Sequence, residues 1–298
     1  MSLFAPKYYT DFVCIADQCK HSCCIGWEID VDDATMGAYN VCSHEYGKII
    51  RESIDTNETP HFRLCDGDRC PHLNESGLCK IILSLGEDYL CDICREHPRF
   101  YHDTVRGKEV GLGMSCEEAC RIILSSDDYN KMIEIEEDCS CENVEFDAIA
   151  HREWIFSILS NRAIPYDDRL KMIRERYNIS LDVLTDTEWR DVFSSLEYLE
   201  ESHKFLFAIF STVGKSLTSL EHKLERAFAY FVFRHCSSAC DEGELRASLG
   251  FSMLCERLLV FLCGNDPTAK IETWAQIVSE ELEYSEENTE CLREIFFE

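Results

Sequence analysis

Cysteine density constrains this chain more than any other feature: 19 of its 298 residues are Cys, and 14 of those fall before residue 142. Thiols at that density must be paired as disulfides, buried as small apolar groups or bound to metal. The opening residues, Met1 to Thr10, carry neither a basic leader nor a long apolar segment, so export to an oxidising compartment is not expected. In a reduced cytoplasm, clustered cysteines are metal ligands or redox groups more often than disulfides. An odd total also argues against complete pairing. Apolar runs such as Phe205 to Val213 and Leu258 to Cys263 are shorter than the ~20 residues that span a bilayer, so no transmembrane segment is expected.

The charge excludes other classes. Acidic residues outnumber basic ones by 57 to 29, giving a net charge of −28 that is shared evenly along the chain. Phosphate backbones are bound largely through Lys and Arg, so nucleic acid is not an expected partner, nor is an anionic membrane. A lysine-bearing protein surface would be attracted instead. No G-x-G-x-x-G or G-x-x-x-x-G-K-[ST] loop occurs, and Gly111-Leu-Gly113 alone is too little to cradle a phosphate.

The pattern changes near Glu136 to Asn143, which places a domain boundary at Cys141: a cysteine-rich metal module over 1–141 and an α-helical domain over 142–298. Gly, Pro and Cys interrupt the first part, with short helices expected at Asp33 to Arg51 and Ser115 to Leu124. Behind the boundary the apolar residues recur with helical spacing. Phe146, Ile149, Ala150, Trp154 and Ile158 share one face, and Leu220, Leu224, Ala227, Phe228, Phe231 and Val232 share another. Further helical stretches follow at Leu245 to Cys263, Ile271 to Leu282 and Thr289 to Phe297. The fold class expected is mainly α, a loop-rich metal-binding module followed by a helical bundle, without βαβ alternation.

Cys14-x4-Cys19-x3-Cys23-Cys24 brings four soft ligands within eleven residues, a donor set that suits zinc or an iron–sulfur cluster. Adjacent Cys23 and Cys24 either turn tightly around one metal or serve different sites. A second group comprises Cys70, Cys79, Cys91-x2-Cys94 and Cys116, with Cys65 and Cys120 nearby. The radical-enzyme spacing Cys-x3-Cys-x2-Cys is not completed anywhere. His21, His72 and His97 adjoin these cysteines and are possible ligands or proton carriers. The late cysteines, Cys236, Cys240, Cys255, Cys263 and Cys291, lie on or beside apolar helical stripes and are expected in the core.

Taken in order, Tyr8-Tyr9, Phe12-x-Cys14-Ile15, Cys19-x3-Cys23-Cys24-x-Gly26-Trp27-x-Ile29, Cys70-Pro71-x-Leu73, Leu78-Cys79-x-Ile81, Leu85-Gly86-Glu87, Cys94-x3-Pro98-Arg99 and Ser115-Cys116-x-Glu118-Ala119 resemble the flagellin lysine-N-methylase family. Weaker echoes continue at Asn161-Arg162 and Tyr230-x3-Arg234-His235. The first part also resembles a broader set of zinc- or iron-chelating cysteine-rich proteins. The resemblance implies a cytoplasmic enzyme that methylates lysine side chains of flagellin with S-adenosylmethionine and depends on an iron–sulfur cluster, of the 4Fe–4S kind. The matching cysteines are Cys14, Cys19, Cys23, Cys24, Cys70, Cys79, Cys94 and Cys116, to which the knuckle spacing adds Cys91. His72 stands where the family leads one to expect an aromatic residue, and Cys42, Cys65, Cys91 and Cys120 are additional.

Such a reaction needs the neutral amine of a lysine whose ordinary pKa is ~10.4. Trp27 with Tyr8 or Tyr9 would wall and desolvate it, Glu118 would take its proton, and Arg99 would clamp the carboxylate of S-adenosylmethionine. The competing readings give Trp27 to the core, Glu118 to solvent and Arg99 to a salt bridge. Four local thiols, Cys14, Cys19, Cys23 and Cys24, would close a cluster and favour a bracing role. A zinc-stapled adaptor that binds flagellin or another secretion-system protein without catalysis is the alternative function. A thiol redox protein built on Cys91-x2-Cys94 is disfavoured by the missing βαβ pattern.

Overall fold

The computed structural model describes residues 2–57, 59–137, 144–213 and 217–297. Two compact units emerge. Val13–Pro98 and Cys116–Glu118 form a thiol unit; Met1–Phe12, Arg99–Ser115 and Ala119–Glu298 form a helical unit. The boundary expected at Cys141 itself lies outside the described residues.

The thiol unit holds four short helices, α1 (Asp33–Val41), α2 (Glu45–Ser53), α3 (Lys80–Leu85) and α4 (Asp92–Glu96). Asp32 starts α1 by accepting from the Thr35 amide at 2.9 Å, and its second oxygen accepts from the Asp92 amide at 2.9 Å, so one carboxylate fixes the starts of α1 and α4. The single helix expected over Asp33 to Arg51 is broken at Cys42–His44. There His44 caps α2 by accepting from the Tyr46 amide at 3.1 Å. Gly47 lets α2 fold back on α1, because a Cβ at that position would come within 2.8 Å of the Cys42 sulfur. Ile54–Asp55 pairs antiparallel with His61–Phe62. Ile29, Tyr39, Ile50, Phe62, Leu73 and Ile81 form the apolar centre, together with Cys70 and Cys91.

In the helical unit, a four-stranded sheet that the sequence reading missed comprises β1 (Leu3–Pro6), β2 (Arg99–Thr104), β3 (Gly107–Leu112) and β4 (Met132–Glu136), in the order β2-β3-β1-β4. β2 and β3 form a hairpin from Arg99↔Leu112 to Thr104↔Gly107, β1 runs parallel to β3, and β4 is antiparallel to β1. Helices α5 (Glu117–Ser125), α6 (Ala148–Leu159), α7 (Tyr166–Tyr177), α8 (Asp186–Ser195), α9 (Glu201–Phe207), α10 (Glu221–Cys236), α11 (Glu242–Asn265), α12 (Ile271–Val278) and α13 (Glu286–Glu294) account for most of the remainder. The first two residues of α5 group with the thiol unit. The mainly α class is therefore what the described residues show.

α11 is apolar almost all round, as a central helix should be. It is long and apolar enough to cross a bilayer, which the shorter apolar runs of the sequence did not suggest, but 83% of its apolar window is buried inside the fold. Trp189, Phe193, Phe207, Phe228 and Phe231 are fully buried in the same unit, as is Phe251 of α11 itself. Several buried charges are paired with one another. Arg152 donates to both oxygens of Glu109 at 2.5 and 2.7 Å, and Glu225 accepts from Arg162, Arg169 and Tyr129. The echo Tyr230-x3-Arg234-His235 converges on Glu283, with Tyr230 at 3.0 Å and His235 at 2.6 Å. Gly111 is a packing glycine: a Cβ there would overlap the rings of Phe100 and Phe233. Of the late cysteines, Cys236, Cys255 and Cys263 are in the core as expected, whereas Cys240 and Cys291 are exposed.

Candidate thiol centre

The segment Val13 to Gly26 carries the first four cysteines. Its backbone turns at Ala16, in the left-handed region at φ 49°, and at Gly26, at φ 98°. Between these points the loop is anchored from a distance. Glu117, in the first turn of α5, accepts from the Lys20 amide at 2.7 Å and the His21 amide at 3.4 Å. This carboxylate was not singled out by the sequence, where only the neighbouring Glu118 matched a motif. The signal was present as an acid directly after Cys116, but nothing in the letters ties position 117 to position 20.

The four thiols of Cys14-x4-Cys19-x3-Cys23-Cys24 do not stay together. Cys24 packs against the apolar centre with Cys79 and Cys94, beside the buried Cys70 and Cys91. Its carbonyl accepts from the Cys70 amide at 2.9 Å, and the Gly26 amide bonds the Asp68 carbonyl at 2.9 Å, so the segment after Cys23 is laced to the Cys65–Cys70 turn. Cys79 and Cys91 stand directly before α3 and α4, and the Cys94 amide bonds the Cys91 carbonyl at 3.0 Å. Cys14, Cys19 and Cys23 stay towards solvent and, with Cys116, form a second neighbourhood whose charges act on one another. Two thiol groups result: a recessed one of Cys24, Cys70, Cys79, Cys91 and Cys94, and an open one of Cys14, Cys19, Cys23 and Cys116. Cys23 and Cys24 meet through a thiol hydrogen bond where the groups adjoin.

Proton affinities follow this division. Burial and the negative neighbours Cys116 and Glu117 push the Cys19 thiol up to about 12, and burial does the same for Cys70. Hydrogen bonding by the Cys23 thiol brings Cys24 down to about 7, and Cys94 lowers Cys91 in the same way. A bound cation would draw the remaining thiols into the thiolate form. No cysteine among the described residues is in a disulfide. Among the same residues no three His, Cys, Asp or Glu side chains are close enough to hold one metal ion. Thiols are the donor type that zinc and iron–sulfur clusters take.

The histidines divide too. His72 is buried, with Nδ1 3.0 Å from the Tyr46 hydroxyl and Nε2 2.9 Å from the Ser53 hydroxyl, which itself donates to the Ile50 carbonyl. Ser53 must then accept from Nε2–H, which leaves Nδ1 to accept from Tyr46. Both nitrogens are occupied by side chains, and the ring packs edge-on to Phe62 at 4.7 Å. His72 thus fills the aromatic position that the resemblance led us to expect. Burial lowers its pKa to about 4.

Trp27 is half-buried in the thiol unit, donates its indole N–H to the Cys23 carbonyl at 2.7 Å and lies 6.3 Å from the His97 ring. Glu118 is half-buried in the same unit, next to Glu117. Tyr8 and Arg99 belong to the helical unit. Burial raises the Tyr8 phenol well above its ordinary range, and the side chain sits in the core. Arg99 donates from Nε to the Tyr9 hydroxyl at 2.8 Å and lies over the rings of Tyr9 and Phe12. Trp27 and Glu118 are therefore the non-thiol candidates that share a unit with the cysteines. Of the additional cysteines, Cys42 and Cys120 are buried and Cys65 is exposed.

Comparison with known proteins gives a partial match. No family model and no solved structure matches the chain. Over 130 residues, 41% of its length, it is 27% identical to the flagellar biosynthetic protein FliU of Salmonella muenchen and to proteins named lysine-N-methylase in Salmonella typhimurium and Salmonella choleraesuis. That stretch spans 77% of the FliU protein but 32% of each lysine-N-methylase. These relatives support the resemblance to the flagellin lysine-N-methylase family that the cysteine motifs carry.

Proposed function

We propose that this protein is a protein-lysine N-methyltransferase that modifies flagellin, with S-adenosylmethionine as methyl donor and a Cys-ligated 4Fe–4S cluster as cofactor. The observation that carries this reading is the similarity to proteins named lysine-N-methylase and FliU in a chain whose described cysteines are all free, eleven of them in one compact unit. The open group, Cys14, Cys19, Cys23 and Cys116, is the one a protein substrate can approach, and these four thiols would hold the cluster there. The recessed group, Cys24, Cys70, Cys79, Cys91 and Cys94, is suited to bracing the apolar centre with a second metal. When bound, a cluster supplies iron that four thiolates close and three leave open to an outside ligand. A cytoplasmic location, where thiols are kept reduced, belongs to the same proposal.

Methyl transfer joins the lysine nitrogen to the methyl carbon, breaks that carbon's bond to sulfur and releases S-adenosylhomocysteine and one proton. Lysine arrives protonated, so the site must remove a proton first. Glu118 is placed one residue after Glu117, which fixes the cysteine loop, and in this reading its carboxylate accepts that proton while Trp27 shields the amine from water. The net charge of −28 attracts lysine-rich surfaces.

The test is anaerobic purification, with iron, sulfide and zinc counted per chain, followed by incubation with flagellin and methyl-labelled S-adenosylmethionine. We expect iron and sulfide in the protein and label on flagellin lysines. Glu118→Gln should slow transfer about 100-fold, the usual contribution of a positioned base, without loss of iron. Iron-loaded protein that transfers no methyl group to flagellin sinks the reading, and flagellin retained by a zinc-loaded, inactive protein would favour the adaptor.

A further inference from the structure

The helical unit contains a cleft to which the proposed function assigns no role. It lies between the segment after α7 and the end of α13, has a volume of about 310 Å³, and is lined by Ile179, Asp182, Val183, Arg246, Ile295 and Phe296. Small-molecule sites run from about 300 to 1,000 Å³, so this one suits a compact ligand. Its backbone is fixed. Asn178 ends α7 in the left-handed conformation, and the Ser180 hydroxyl accepts from the Asp182 amide at 3.1 Å, which sets the short turn Leu181–Val183.

Arg246, on α11, meets no carboxylate or other acceptor among the described residues, and its Nε is enclosed without a partner. In the same unit Arg152, Arg162, Arg169, Arg226 and Arg234 each pair with an acid, whereas Arg246, like Arg257, forms no ion pair among the described residues. A guanidinium without a carboxylate partner leaves its fork available to an entering anion. Asp182 is exposed and forms no ion pair among the described residues. One small cleft thus carries an unmatched guanidinium, an unmatched carboxylate and an apolar wall. Phe296 and Ile179 are buried in that wall, while Val183 at the rim is half-exposed.

We propose that this cleft binds a free α-amino acid with an apolar side chain. The carboxylate of the ligand takes the fork of Arg246, its ammonium group faces Asp182, and its side chain lies against Ile179, Val183, Ile295 and Phe296. The inference does not depend on the methyltransferase reading, because every residue in it belongs to the helical unit.

Isothermal titration of the full chain with L-leucine and L-methionine tests it, with isovalerate, N-acetyl-L-leucine and L-leucinamide as controls. We expect one site that binds either amino acid at least tenfold more tightly than any control. Arg246→Gln should weaken binding tenfold or more, and Asp182→Asn should weaken leucine but not isovalerate. Val183→Trp fills the rim from a half-exposed position, so it should block the site while leaving the circular dichroism spectrum unchanged. Failure of the wild-type protein to bind either amino acid overturns the proposal. So does isovalerate binding as tightly as leucine, or leucine binding undiminished in Val183→Trp.

Discussion

Glu117 shows how a single carboxylate can set the geometry of a reactive loop. Its oxygen satisfies the amides of Lys20 and His21, between Cys19 and Cys23. Glu117→Ala should therefore speed hydrogen exchange at Lys20 and His21 by a factor of about ten, the equivalent of ~1.4 kcal/mol, with exchange in α10 and α11 unchanged. Unaltered exchange at Lys20 would show that the loop holds its shape without this anchor. His102 offers a second residue-scale test, this one in acid. Burial and the positive charges of Arg152, Arg234 and His235 hold its pKa at about 3, against 6.5 for an ordinary histidine. Between those values the unfolded chain binds a proton that the folded chain refuses, so stability must fall as the pH is lowered through that window, by at most ~1.4 kcal/mol per pH unit. Its enclosed Nε2 has no hydrogen-bond partner, so His102→Phe should flatten the acid limb of a urea-denaturation series. An acid limb as steep as that of the parent protein would mean that other groups set it. At this scale the thiols were legible because cysteine chemistry follows from residue type. The different surroundings of Cys23 and Cys24, whose thiols still hydrogen-bond each other, were not, since they depend on which backbone each residue bonds.

Helices were read far better than strands. The stripes at Phe146 to Ile158, Leu220 to Val232 and Leu245 to Cys263 became α6, α10 and α11 because one face or all of each helix is buried, which writes a 3.6-residue period into the letters. The sheet leaves no such trace. β3 reads Gly-Lys-Glu-Val-Gly-Leu, with two glycines and a buried acid, and Glu109 is tolerated there because Arg152 on α6 neutralises it. Glycines separate in the same way. A methyl group at Gly111 would overlap Phe100 and Phe233, whereas nothing lies within 4 Å of one at Gly37 in α1. Gly111→Ala should then cost about 1–3 kcal/mol in urea-measured stability, and Gly37→Ala should add up to ~1 kcal/mol by restricting the unfolded chain. Equal effects at the two positions would refute the packing role given to Gly111.

At the scale of the whole molecule, the two units differ in what stabilises them. The helical unit buries many large aromatic side chains, while the apolar centre of the thiol unit is smaller and incorporates cysteines. If metal braces that centre, chelation under reducing conditions should raise amide exchange across Val13–Pro98 by tenfold or more and leave α10 and α11 protected. Equal protection with and without chelator would remove the bracing role. The letters alone determined the mainly α class, the presence of a cysteine-rich unit and the kind of donor it offers, because residue type and helical period are local properties. Tertiary structure decided the rest: that residues 3–12 and 99–115 leave the cysteine-rich stretch to join the helices, that Glu117 reaches Lys20, and that thiols adjacent in the chain face different neighbours. Those outcomes depend on hydrogen bonds and burial between residues about a hundred positions apart, which no local pattern encodes.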